Sequence, residues 1–328
     1  MTKSASLAEL VERVRRREPA SVARAISLVE DRRQASEEAI VDLLSALRGG
    51  EAFARSLRVG ITGPPGVGKS SLISALGKHA RAEGRSVAVL AVDPSSPRSG
   101  GALLGDRARI ELDPDDAGFF VRSMASGGAL GGLARAAGAA VDVLSAAYEL
   151  VLIETTGVGQ SETDVEHVAD FVVVVIQPAS GDVLQFLKAG ILEIPDIFVI
   201  NKSDLGDVAE RSRADLAAAL SAIYASGGRS LPVVMTSVRA AQGIAELLTA
   251  IDDERSLVGA SDLSERRHRR AAAWAGRLFA QRFGEVGVER SGGSEALGRE
   301  LLSRVTAGAS PVEAVWALGR RLTILADS

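Results

Sequence analysis

The 328-residue chain has no cysteine, only three histidines, and aromatic residues at just 4%. The first absence excludes disulfides, thiolate metal sites and cysteine nucleophiles together, and it fits a reducing compartment. His79, His167 and His268 stand too far apart for a local ligand pair of the His-x-x-x-His kind, which argues against a zinc centre. An excess of basic charge is also missing. With 38 lysines and arginines against 42 acids the net charge is -4, so no bulk positive field drives unspecific nucleic-acid binding. Long apolar runs are absent too: FVVVVI at 171–176, as long as any, is far below the roughly 20 residues that cross a bilayer and has strand composition. The amino end carries Glu9, Glu12 and Glu18 and lacks the apolar stretch of a secretory signal. The expectation is a cytoplasmic protein with neither nucleic acid nor membrane as partner.

What is present is apolar material, 46% of residues, enough for a large core with appendages. Residues 1 to about 55 read as a helical arm. Leu7, Leu10, Val11 and Val14 form one stripe and Ile40, Leu43, Leu44 and Leu47 another, with Ser21 as the expected cap of a middle helix between them and Gly49-Gly50 closing the segment. From residue 57 the texture changes to short, continuous, branched apolar runs: LRVGIT, SVAVLAV, LVLIE, FVVVVI, DIFVI and PVVMT. Such runs suit parallel strands buried on both faces, and helical patterns lie between most of them. The expected fold is α/β, a doubly wound, mostly parallel sheet over 56–257, between the helical arm and a helical extension over 258–328. Both tryptophans, Trp274 and Trp316, fall in that extension, either as core filler or as anchors against a second subunit.

Gly63-Pro64-Pro65-Gly66-Val67-Gly68-Lys69-Ser70 fits the phosphate-loop pattern, with a strand before it and a helix after it. Its glycines let backbone amides face phosphates, Lys69 adds a point charge, and Ser70 offers a hydroxyl to magnesium; Ser71 continues the nucleotide-binding stretch. Asn201-Lys202-Ser203-Asp204, at the end of DIFVI, suits guanine: the aspartate accepts from the ring N–H and exocyclic amine while Asn201 and Lys202 brace the loop. Thr236, Ser237 and Val238 end the next strand and would close over the base. Glu154 ends LVLIE three residues before Gly157, where an acid can hold magnesium and a glycine amide can sense the γ-phosphate. Gln160 is a candidate for orienting water. Asp93, at the end of SVAVLAV, and Asp106, in the glycine-rich loop after it, can complete the magnesium shell with Ser70.

These elements resemble the MeaB (ArgK) family of GTPases, bacterial relatives of the methylmalonic aciduria type A protein. The likeness rests on GITGPPGVGKSSLI, VLAVDPSSPRSGGALLGDRAR, GGALGGLA, ETTGVGQSE and NKSD, and extends along the chain. The resemblance implies a GTPase, homodimeric through its carboxyl-terminal helices, that chaperones an adenosylcobalamin-dependent acyl-CoA mutase, methylmalonyl-CoA mutase by default. It implies phosphate and magnesium binding by Lys69 and Ser70, Asp93, Asp106 and Glu154 around the metal, and guanine reading by Asn201, Lys202 and Asp204. The stretch 181–190 looks like the family's additional switch, but Val183 and Ala189 stand where a glutamate and a lysine are usual. Two other readings compete: a metal-insertion GTPase of the hydrogenase or urease accessory type, disfavoured by the missing cysteines, and an ATP-using kinase of ArgK type, disfavoured by Asn201 to Asp204.

Overall fold

The computed structural model describes residues 3–93, 116–125, 135–155, 164–178, 194–223 and 229–326, with backbone alone for 3–5, 93 and 323–326. By internal contacts the chain divides into two units. One comprises Met1–Leu57, Arg135–Glu149 and Ser261–Ser328, the other Arg58–Ala134 and Leu150–Ala260.

The second unit is built on a seven-stranded parallel sheet. Its strands are β1 (Leu57–Thr62, whose first residue the division assigns to the helical unit), β2 (Val87–Asp93), β3 (Phe119–Ala125), β4 (Leu150–Glu154), β5 (Phe171–Ile176), β6 (Ile197–Asn201) and β7 (Val233–Thr236), in the order β3-β2-β4-β1-β5-β6-β7. β1, β4, β5 and β6 are buried along their whole length, as their unbroken apolar runs require. Because β1 lies between β4 and β5, chain order reverses there, and the carboxyl ends of the central strands flank a crevice. Six of these strands coincide with the runs read from sequence. The seventh, β3, was missed: FFVRSMA carries Arg122 and Ser123, and it is a half-buried edge strand in register with β2 from Val87↔Phe119 to Asp93↔Ala125. A two-pronged ion pair from Arg81 to Asp116 fixes the chain just before it, with Nε at 2.9 Å and Nη2 at 2.8 Å.

The first unit is helical: α1 (Lys3–Arg15), α2 (Pro19–Glu30), α3 (Glu37–Arg48), α4 (Glu51–Arg55) and α6 (Ala137–Ser145). Helices α5 (Lys69–Ala82) and α7 (Asp207–Ile223) belong to the sheet unit. The expected stripes are the buried faces: Leu10, Val11 and Val14 of α1, and Ile40, Leu43, Leu44 and Leu47 of α3. One expectation fails. Ser21 does not cap α2, which starts two residues earlier because Pro19, with its fixed φ and missing N–H, takes the first turn and Glu18 becomes the N-cap. Half-buried Arg48 and buried Asp142 join α3 to α6 at 2.8 Å.

At the carboxyl end, α8 (Ile244–Arg290), α9 (Gly293–Thr306) and α10 (Pro311–Ala326) follow. α8 runs on from the sheet domain into the expected helical extension, and the two units divide it at Ala260. Trp274 is buried against Gly138, where an added Cβ would lie 2.6 Å from the indole nitrogen, so it serves as core. Trp316 is half-buried, and the Arg320 guanidinium stacks 3.7 Å from its ring centroid. No helix among the described residues is long and apolar enough to cross a membrane.

Candidate functional site

The site is assembled at the carboxyl ends of β1, β4, β5, β6 and β7. Between β1 and α5 the chain turns through Gly63–Gly68, and two of its glycines are dictated by clearance. Gly63 has φ +145, and a Cβ there would lie 2.1 Å from the Val175 carbonyl oxygen; Gly68 has φ +97, and a Cβ there would lie 2.6 Å from Asn201 Nδ2. The second clearance lets Asn201 Nδ2 donate to the Val67 carbonyl at 2.8 Å, which ties the loop to the end of β6.

Lys69, the first residue of α5, is only 7% exposed, and its Nζ donates to the carbonyls of Gly63 at 2.8 Å and Pro64 at 3.1 Å. An ammonium resting on neutral carbonyls at a helix amino end is ready to exchange them for an anionic oxygen, to which a charge-assisted hydrogen bond is stronger. Ser70 is buried and donates its hydroxyl to Glu154 Oε1 at 2.7 Å across β1 and β4. Pro65, Gly66 and Ser71 are exposed, Pro64 is half-buried, and Val67 is fully buried beneath the loop.

The donor set passes the chemical test for magnesium. A serine hydroxyl and a carboxylate offer oxygen ligands only, with no sulfur or imidazole among them, as a hard divalent cation prefers. Asp93 follows the Ala91↔Glu154 pairing of β2 and β4 by two residues, which puts its backbone at the same end of the sheet. Asp106, Gly157, Gln160, Val183 and Ala189 lie outside the described residues. Among the described residues no group of three or more histidines or acids is arranged to hold a metal.

The second loop is as closely braced. Lys202 adopts the left-handed conformation, φ 61° and ψ 40°, and its Nζ donates to the Gly66 carbonyl at 2.9 Å and to Gln177 Oε1. Asn201 Oδ1 accepts from Thr236 Oγ1 at 3.1 Å, so one buried amide joins the phosphate loop, β6 and β7. Asp204 is exposed, and Ser237 Oγ donates to its Oδ1 at 2.6 Å. That hydrogen bond is the main cause holding the Asp204 carboxyl below its ordinary 3.8, with Arg239 and Lys202 adding smaller electrostatic help. Ser237 in turn accepts from the Ala240 amide at 3.1 Å; Val238 is half-buried beside it. The result is an acceptor kept ionised and aimed, the form needed to receive two N–H groups of a base.

Three participants escaped the sequence reading. Gln177 directly follows β5, and that position was its only signal. Thr62 and Thr155 end β1 and follow β4, and Thr155 Oγ1 donates to Thr62 Oγ1 at 2.9 Å, both buried. Hydroxyls at strand ends are common, so nothing local marks this pair until the strands are adjacent.

Comparison with known proteins agrees with this geometry. The profile of the family described as "Methylmalonyl Co-A mutase-associated GTPase MeaB" matches residues 22–289. A protein of Pyrococcus abyssi named as a GTPase is 44% identical over 267 residues, 80% of this chain and 80% of its own. The GTPase ArgK of Escherichia coli K12 is 37% identical, covering 84% of each chain. The mitochondrial methylmalonic aciduria type A homolog of Mus musculus is 35% identical over 79% of this chain and 66% of its own. Among solved structures, one titled as a LAO/AO transport system kinase superposes with a TM-score of 0.66 at 28% identity, over 98% of this chain and 99% of that one.

Proposed function

The chain belongs to the MeaB family of methylmalonyl-CoA mutase-associated GTPases, and on that premise we propose that it hydrolyses GTP to GDP and phosphate with Mg2+ and couples this cycle to the upkeep of an adenosylcobalamin-dependent acyl-CoA mutase. The observation that carries the nucleotide part is the single hydrogen-bonded network in which Asn201 and Lys202 hold the glycine loop while Asp204 stays ionised beside it. In this reading Lys69 gives up its two loop carbonyls to bind the β/γ-phosphates, the loop amides from Gly63 to Ser70 surround them, and Asp204 accepts from guanine with Thr236, Ser237 and Val238 at the base. Ser70 and Glu154, with Asp93 and Asp106, would hold Mg2+, which when bound would neutralise charge on the phosphates. Gly157 and Gln160 are assigned to sensing the γ-phosphate and orienting water. Positioning and charge neutralisation do most of the work, so turnover without a partner is expected to be slow.

The chaperone part rests on the family alone: cofactor delivery to the mutase, and its protection or reactivation, would follow the nucleotide state in a cytoplasmic setting. α8 to α10 are read as the homodimerisation region. Phosphate release from GTP and ATP, with and without Mg2+, tests the chemistry. GTP turnover lost in Lys69→Ala supports the proposal, whereas full turnover in that variant, or tighter binding of ATP than GTP, would reverse it toward the kinase reading. Recovery of a cobalamin-dependent mutase from native extract in a nucleotide-dependent manner tests the partner, and failure in both the GDP and the GTP-analogue state would remove it.

A further inference from the structure

The helical unit contains a pocket unrelated to the phosphate loop. It is a half-open cavity of about 70 Å³, to which Arg32 comes from just after α2, Arg135 from just before α6, and Arg282 from the last quarter of α8. Three guanidiniums therefore line one cavity, each of them exposed to solvent. Their local compensation is incomplete. Glu37 pairs with Arg282 at 2.7 Å, and Asp31, also on the rim, is already engaged by Arg33 and by Ser36 Oγ at 2.6 Å. Among the described residues neither Arg32 nor Arg135 has an ion-pair partner, and burial together with the charges of Arg32 and Arg282 pushes the Arg135 guanidinium down from its ordinary range.

Two further features favour a negative occupant. The amino ends of α3 and α6 line the same cavity through Glu37 and Ala136, and neither helix has a side-chain cap, since Ser36 is spent on Asp31. The lining of the same cavity also includes the apolar Val41, Leu278 and Trp316. Three arginines less the one carboxylate of Glu37 leave two positive charges, which is the charge of a phosphate monoester near neutrality. A bare ion would leave these apolar residues unused.

We infer that this pocket binds a small organic phosphate, its phosphoryl group held by Arg32, Arg135 and Arg282 and its carbon portion lying against Leu278 and Trp316. Guanidinium forks suit phosphate oxygens in a bidentate manner, and an indole face suits a ring or an acyl group. Arg32, Arg135 and Arg282 are all exposed to solvent, so their guanidiniums are accessible to a phosphoryl group arriving from solution.

The test uses the full chain saturated with GDP, so that the phosphate loop is filled, and phenyl phosphate as the probe with phenol and inorganic phosphate as controls. Calorimetry and Trp316 fluorescence should report one phenyl phosphate per chain, bound at least about tenfold tighter than either control, weakening as salt rises. Arg32→Gln with Arg135→Gln should lower that affinity by at least about tenfold, leave GTP turnover unchanged, and leave the thermal midpoint without ligand no lower than in the parent. Should the double variant not fold, Arg135→Gln alone carries the same comparison. Equal binding by parent and variant, phenol binding as well as phenyl phosphate, or inorganic phosphate binding as well as phenyl phosphate would each overturn the inference.

Discussion

The sheet unit and the helical unit place their polar groups differently, buried at the ends of the strands and exposed at the arginine-lined pocket. At the carboxyl ends of the strands, Lys69, Ser70, Glu154, Asn201 and Thr236 are buried and hydrogen-bonded into one network that a single loop displacement would disturb. In the helical unit the ion pair of half-buried Arg48 with buried Asp142 joins two helices and serves cohesion, while the three arginines of the pocket stand exposed with Glu37 among them. A buried hydrogen-bonded network is preorganised; an exposed cluster of like charge is open to a counter-charged ligand. Counting hydrogen bonds alone would rank the two regions wrongly, because a functional site can be either.

The sharpest way to break the comparison is to overfill the phosphate loop. Gly63→Val forces a side chain into a positive-φ position with its Cβ 2.1 Å from the Val175 carbonyl, and it should cost more than about 4 kcal/mol in denaturant unfolding. If the loop tolerates it with a small loss, the network is not rigid. Next is Arg48→Met, which leaves the buried Asp142 carboxylate without its guanidinium and should cost about 3–5 kcal/mol by the same measurement. A loss near zero would mean that the helical unit does not rely on this pair.

Asp204→Asn keeps the size of the side chain and removes the charge that two base N–H groups require; GTP affinity measured by calorimetry should fall by at least about tenfold with little change in unfolding. The pH dependence sharpens this. Because Ser237 depresses the Asp204 carboxyl, the charged acceptor persists above the ordinary value of 3.8 and is lost only as pH falls through the lower folded value; in Ser237→Ala the loss of guanine-nucleotide affinity should begin at a higher pH. A parent and variant that titrate together would detach Ser237 from the acceptor. The smallest effect is expected from Arg299→Ala, whose i,i+4 partner Glu295 lies with it on an exposed face of α9, and it should change stability by less than about 0.5 kcal/mol.

Sequence and structure divide these findings along a physical line. The phosphate loop and the Asn201–Asp204 stretch were legible because their chemistry depends on residues a few positions apart, where covalent geometry already fixes the spacing. Six strands were legible because burial on both faces demands unbroken apolar runs. β3 was not, since an edge strand needs no such run, and its place depends on Arg81 reaching Asp116, 35 positions along the chain. The Ser21 cap failed because Pro19 outcompetes it for the start of α2.

What the sequence determined by itself was therefore the fold class, the family and the nucleotide motifs, all written in local spacing and period. Only the tertiary structure decided that Ser70 meets Glu154, that Asn201 braces the phosphate loop, and that Ser237 aims Asp204. It alone brought Arg32, Arg135 and Arg282 to one cavity, because residues so far apart in the chain become neighbours only when helices pack.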